Sequence, residues 1–160
     1  MTAVLTSRLA AARLQSFLAF DYGLRRTGVA TGTRMLGSAR PLTTVKADGD
    51  ARFPLIARLI DEWQPDALVV GVPFHPDGAE HENTRLARRF ARQLQGRFNR
   101  PVFEVDERYS TTAVLAAGAR DADAAAAALL LEQFFNEQQR LADAVAVATP
   151  DPDPAEEHRP

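Results

Sequence analysis

Residues 67–72 read Ala-Leu-Val-Val-Gly-Val, a run with no polar position. A strand with one wet face alternates apolar and polar side chains. A short run without alternation is expected to be covered on both faces, as in a parallel sheet packed between helices. The flanking sequence agrees. Phe53, Ile56, Ile60 and Trp63 recur at helical spacing and place an amphipathic helix over residues 50–63, closed by Pro65. Beyond the run, residues 73–78 form a Pro- and Gly-containing loop, and Leu86, Phe90, Leu94 and Phe98 mark the inner side of a helix over residues 82–98. Residues 102–106 give the next strand.

Upstream, residues 16–22 form a strong strand whose apolar run ends in Asp21, and Gly23 marks a turn. Strands over residues 27–32 and 37–45 follow at hairpin spacing, an antiparallel meander. Pro41 lacks an N–H and makes the third strand an edge. A helix starting near Ser110, a turn around Gly118 and a last helix over residues 123–138 complete the chain. Three strands, helix, strand, helix, strand, helix, helix is an α/β order, and it predicts a mixed five-stranded sheet with helices on its faces.

At 160 residues and 46% hydrophobic content the chain suits one domain with a sizeable core. That domain is expected over residues 16–140. The Ala/Leu-rich segment 1–15 precedes it; with two arginines and no acid it suits an extra helix or an organellar transit peptide. An acidic, Pro-rich tail, 141–160, is expected to be disordered. There is no cysteine, which excludes disulfides and thiolate zinc sites and fits the cytoplasm. No apolar run approaches the roughly 18 residues of a membrane span. A net charge of −2 gives no global pull toward nucleic acid, so any such attraction must come from a local patch.

Three acids stand where elements begin or end: Asp21 on the first strand, Glu107 just past the fifth, and Asp123 at the start of the last helix. If the first and fifth strands were neighbours, Asp21 and Glu107 would meet, and a helix packed against them would bring Asp123 alongside. Three carboxylates in one cleft repel unless a cation lies between them, and Mg2+ or Mn2+ prefers such oxygen ligands. Each acid also has a plainer reading. Asp123, ahead of five alanines, would serve as a helix N-cap; Glu107 and Arg108 would make a surface ion pair; Asp21 would form a turn. The pattern alone leaves these open.

The segment Phe20-Asp21-Tyr22-Gly23-Leu24-Arg25-Arg26-Thr27-Gly28-Val29-Ala30 resembles the opening motif of the YqgF/RuvX family, Holliday-junction-resolvase-like proteins that include nucleases assigned to pre-16S rRNA. Val69-Val70-Gly71-Val72-Pro73 with Asp77-Gly78 resembles the second motif. Asp106-Glu107-Arg108-Tyr109-Ser110-Thr111 resembles the third, and Asp123 with Leu129-Leu130-Leu131-Glu132 the fourth. Four motifs in order over residues 16–138 are far more specific than any one of them. The resemblance implies a ribonuclease H-like fold. It also implies catalytic, metal-binding roles for Asp21, Glu107 and Asp123 with two Mg2+ or Mn2+ ions, and substrate-backbone contacts from Arg25, Arg26, Arg108 and Thr111. Asp106 would point to the opposite side of its strand from Glu107. Thr111 is equally suited to capping a helix.

Two departures stand out. The link from Arg108 to Asp123 is short and keeps only Arg120 of the basic segment usual there, and Leu24 stands where a small or hydroxyl residue is usual. Arg85, Arg88, Arg89 and Arg92 form a stripe on the second helix that reads either as a solvated face or as a track for a nucleic-acid backbone. His75 and His81 lack metal-ligand spacing. The resemblance implies a cytoplasmic, metal-dependent endonuclease for pre-16S rRNA, acting on ribosomal assembly intermediates, as a monomer or homodimer. The alternatives are a dimeric resolvase of branched DNA and a non-catalytic RNA-binding assembly factor. An actin-like ATPase would need a second lobe that these 160 residues do not provide.

Overall fold

A computed structural model describes residues 13–73, 81–107 and 121–148. The elements are β1 (Ser16–Asp21), β2 (Arg26–Thr33), β3 (Ala39–Lys46), α1 (Arg52–Trp63) entered through a 3-10 turn at Gly49–Ala51, β4 (Ala67–Pro73), α2 (Glu82–Phe98), β5 (Val102–Glu107) and α3 (Ala122–Ala148). The strands form one sheet in the order β3-β2-β1-β4-β5. β1, β2 and β3 pair antiparallel, while β1, β4 and β5 run parallel, so the sheet is mixed as expected. β3 is an edge, as Pro41 requires, and its register with β2 shifts between Val29 and Ala30, opposite Pro41.

The two faces follow from strand parity. Leu18, Phe20, Val29, Leu68 and Val70 point to α1 and α2, where they meet Phe53, Ile56, Ile60, Phe90 and Leu94. Phe17, Ala19, Ala67, Val69 and Val105 point the other way, onto Leu130, Leu131, Phe134 and Phe135 of α3. β4 is therefore covered on both sides, with Ala67 through Val70 fully buried. Each large side chain so enclosed contributes about 1.5–3 kcal/mol. On β2 the residues facing α3 are all small. Gly28 lies against the backbone of Asp123, Ala30 packs with Ala127 and Ala128, and Gly32 lies beside Leu131 and Phe135. The alanine run of α3 thereby comes close to the sheet.

One condition raised by the sequence is not met, and one boundary moves. β1 and β5 are not neighbours; β4 lies between them. The last helix, expected over 123–138, continues to Ala148. Residues 141–147 are exposed all round, so packing does not sustain that end. Ala, Leu, Gln and Arg propagate a helix well, and the first breaker is Pro150. The extension before residue 13, the loop 74–80, Arg108, Thr111, the helix expected near Ser110 with its turn at Gly118, and the tail after 148 lie outside the described residues. Among the described residues no helix is long and apolar enough to cross a membrane.

Candidate active site

Because β1, β4 and β5 are parallel, their C-terminal ends share one edge of the sheet, where open α/β sheets commonly place their ligands. Asp21 ends β1 and Glu107 ends β5. Parity puts Asp21 on the face of Phe17 and Ala19, and Glu107 on the face of Val105, which is the α3 face in both cases. The start of α3, with Asp123 in its first turn, lies at the same edge. All three acids therefore share one face and one end of the sheet. Asp106 takes the opposite direction, as expected from its place beside Glu107.

β4 does not keep Glu107 from Asp21, because Gly71 leaves a gap in it. Phe20 pairs with Val70, and one residue further along that register Asp21 stands beside Gly71, a strand spacing of about 4.8 Å away. Glu107 pairs with Pro73 but reaches back over Gly71. A methyl group on Gly71 would stand 2.6 Å from Glu107 Oε1 and 2.7 Å from Leu130 Cδ1. The absence of a side chain at 71 gives the Glu107 carboxylate its place next to the Asp21 row.

Gly28 does the same for Asp123. It is the β2 partner of Asp21, and a methyl group there would lie 1.8 Å from the Asp123 carbonyl oxygen. Only glycine lets the first turn of α3 sit on the hairpin that carries Asp21. Asp123 is not the helix cap, the plainer role open to it in the sequence. That role falls to Asp121, whose Oδ1 accepts from the Ala124 amide at 3.2 Å and from the Thr44 hydroxyl of β3. Burial raises the Asp121 carboxyl, but the Thr44 hydroxyl, the Ala124 and Asp123 amides and the charge of Arg26 together hold it below the usual carboxylate range. The Asp123 carboxylate, released from capping, has its Oδ2 enclosed and 2.7 Å from Arg26 Nη2, close but not aligned as a hydrogen bond.

The turn between β1 and β2 carries Arg25 and leads into Arg26, the first residue of β2, both on exposed positions. Its shape is held by a residue that the sequence reading missed. Arg52, at the start of α1, is only 3% exposed. Its guanidinium donates to the Gly23 carbonyl at 3.1 Å, the Leu24 carbonyl at 2.8 Å and the Gly49 carbonyl at 2.9 Å, and lies 4.7 Å from the centre of the Tyr22 ring. The planar fork of arginine suits three carbonyls and an aromatic face, where the compact lysine ammonium would not.

In donor chemistry the acid set fits a hard divalent cation: three carboxylates on one face, one with an enclosed oxygen lacking an aligned donor. In the conformation described, Arg26 takes up that oxygen's charge, and no three acidic or imidazole side chains among the described residues are close enough to share one ion.

Residues 15–137 match the family model described as RuvX: Holliday junction resolvase. A protein of Albidiferax ferrireducens named "Putative pre-16S rRNA nuclease" is 70% identical over 125 residues, covering 78% of this chain and 80% of its own. A protein of the same name from Polaromonas sp. is 66% identical over 124 residues, 78% of this chain and 90% of its own. Among solved structures, Thermus thermophilus RuvC in complex with a Holliday junction substrate superposes with a TM-score of 0.50 at 17% identity, covering 78% of this chain and 96% of that one. That likeness shows the ribonuclease H-like fold. On the family match and these identities, the chain belongs to the RuvX family.

Proposed function

We propose that this chain is a metal-dependent endonuclease that hydrolyses phosphodiester bonds in the 5′ maturation of pre-16S rRNA, with Asp21, Glu107 and Asp123 as its catalytic acids. The observation that carries the reading is the convergence of all three on the α3 face at the C-terminal edge of the parallel strands, with glycines at 28 and 71 making room for two of them. Mg2+ or Mn2+ bound as a pair by these carboxylates would supply a water of lowered pKa and charge for the leaving oxygen. The protein's own part is to orient the scissile phosphate. Arg25 and Arg26 project from the turn beside Asp21 and would meet the substrate backbone, with Arg108 and Thr111 following Glu107 in the chain. Precursor rRNA is favoured over branched DNA by the names of the relatives, and the site belongs to residues 16–140 acting in the cytoplasm.

One observation favours a second reading. The Arg26–Asp123 pair and the spacing of the acids describe a site at rest, and a chain kept in that state would be an RNA-binding assembly factor without catalysis. Incubation with a 16S precursor leader transcript and with a four-way DNA junction, in Mg2+ or Mn2+ and in chelator, separates the readings. We expect metal-dependent cleavage of the transcript, lost in Asp21→Asn. Cleavage of the junction instead would assign a resolvase, and binding without cleavage would assign the assembly factor.

A further inference from the structure

Helix α2 carries five arginines against one acid, Glu82, in a chain whose net charge is −2. Four of them, Arg85, Arg88, Arg89 and Arg92, follow the spacing that brings side chains onto one face, and their face is opposite the buried Ala87, Phe90, Ala91 and Leu94. Like charges so placed repel by a few tenths of a kcal/mol per pair. Little nearby offsets this. Arg85 stands 3.8 Å from Glu82 and Arg88 3.8 Å from Glu104, both on exposed surface where such pairs count for little. Among the described residues no ion pair to Arg89 or Arg92 is seen; Asp50, which shares a depression with Arg89, stands 3.8 Å from Arg97 instead.

The stripe is also continuous with the site edge. Arg85, Arg88, Arg89 and Arg92 line a surface depression of about 270 Å3 together with Leu86. A smaller one of about 110 Å3 shares Leu86 and Arg89 and runs on to Tyr22, the residue after Asp21. α2 joins two parallel strands, β4 and β5, and therefore returns antiparallel to them. It therefore starts at the same end of the sheet as the acids, and these arginines lie within its first eleven residues. The span from Arg85 to Arg92 is about 10 Å along the helix at 1.5 Å per residue, room for more than one phosphate.

We propose that this face of α2 is an outer binding track for the nucleic-acid backbone, in which Arg89 and Arg92, assisted by Arg85 and Arg88, hold phosphates of a strand that turns around the sheet edge from Asp21 past Tyr22. The track rests on the nuclease reading for the class of its ligand. It binds by charge, without reading bases, so its mark is the salt dependence of affinity.

The test is fluorescence anisotropy of the full chain with a labelled 16S precursor leader transcript in EDTA, across about 50 to 200 mM KCl. The Arg89→Gln/Arg92→Gln pair is compared with the charge-keeping Arg89→Lys/Arg92→Lys pair. Each single-strand phosphate contact adds about 0.7 to the slope of log affinity on log salt, so the glutamine pair should lower it by about 1.4. The lysine pair should keep the wild-type slope. Both residues are exposed, and an unchanged melting midpoint shows that folding is intact. A glutamine pair with the wild-type slope overturns the track and leaves the nuclease reading standing. A wild-type chain that binds through these arginines yet cleaves nothing in Mn2+ supports the track and overturns the nuclease.

Discussion

At Gly71 the spacing is such that a methyl group would press on two neighbours of different kinds. Leu130 Cδ1, 2.7 Å away, belongs to a side chain with other rotamers, whereas Glu107 Oε1, 2.6 Å away, is a carboxylate of the proposed site. Gly71→Ala is therefore expected to cost about 1–3 kcal/mol in stability. It should also cut cleavage about 100-fold, because a displacement of about 1 Å is enough for that. Urea unfolding and turnover at saturating transcript measure the two effects separately, and full turnover in a destabilised Gly71→Ala would mean that Glu107 does not work from over Gly71. Gly28→Ala should be the more destabilising of the two, since the obstacle at 1.8 Å is the Asp123 carbonyl in the backbone of α3. That Asp21, Glu107 and Asp123 stand at the ends or starts of elements was legible in the sequence, and the structure has them there. Gly28 and Gly71 stood within the first and second motifs, but their purpose was not readable, because it depends on what crosses above them. One signal was available: Gly28, Ala30 and Gly32 alternate along β2 and mark a face made only of small residues. Arg52 gave none, because two of its carbonyl partners, Gly23 and Leu24, belong to a turn distant in sequence.

At the scale of elements, the first turn of α3 decides whether Asp123 has a site role, and Asp121 controls that turn. Because its folded pKa lies below the usual carboxylate value, Asp121 adds stability above the unfolded pKa of about 3.9, and that stability is lost as pH falls through the lower folded value. Asp121→Ala should accordingly cost about 1 kcal/mol near neutral pH, as loss of a cap does. The difference from wild type should narrow as the medium is acidified below the ordinary carboxylate range. Urea unfolding of both proteins across that range checks it, and a gap constant with pH would assign the stabilisation to something other than the Asp121 charge. Helix and strand positions were legible because apolar periodicity reports local burial. Strand order was not. The sequence reading had β1 and β5 as possible neighbours, whereas β4 separates them, and no local pattern encodes which strand lies between two others. The far end of α3 escaped for the opposite reason: residues 141–147 have no buried face from which periodicity could be read.

The whole molecule divides its charge between an acidic corner under α3 and an arginine face on α2, and the acidic corner makes a thermodynamic prediction that needs no RNA. Like charges gathered at one edge raise the free energy of the folded chain to the extent that they are not offset, and Arg26 offsets that of Asp123. A cation that binds the folded state and not the unfolded one stabilises by mass action, about 2.7 kcal/mol at a hundred times its dissociation constant. For a domain of this size that raises the melting midpoint by about 5–10 °C. Thermal unfolding in millimolar Mn2+ should show such a rise, reversed by chelator and absent in Asp21→Asn and Glu107→Gln. Arg26→Gln discriminates further. If its guanidinium competes with the metal for Asp123, the variant should start from a lower midpoint in chelator and gain more than the wild type on adding Mn2+. An equal gain in both would mean that Arg26 and the cation do not share Asp123. A midpoint indifferent to Mn2+ and Mg2+ in both proteins would leave the three carboxylates without a metal in the free chain, and would favour the assembly factor over the nuclease.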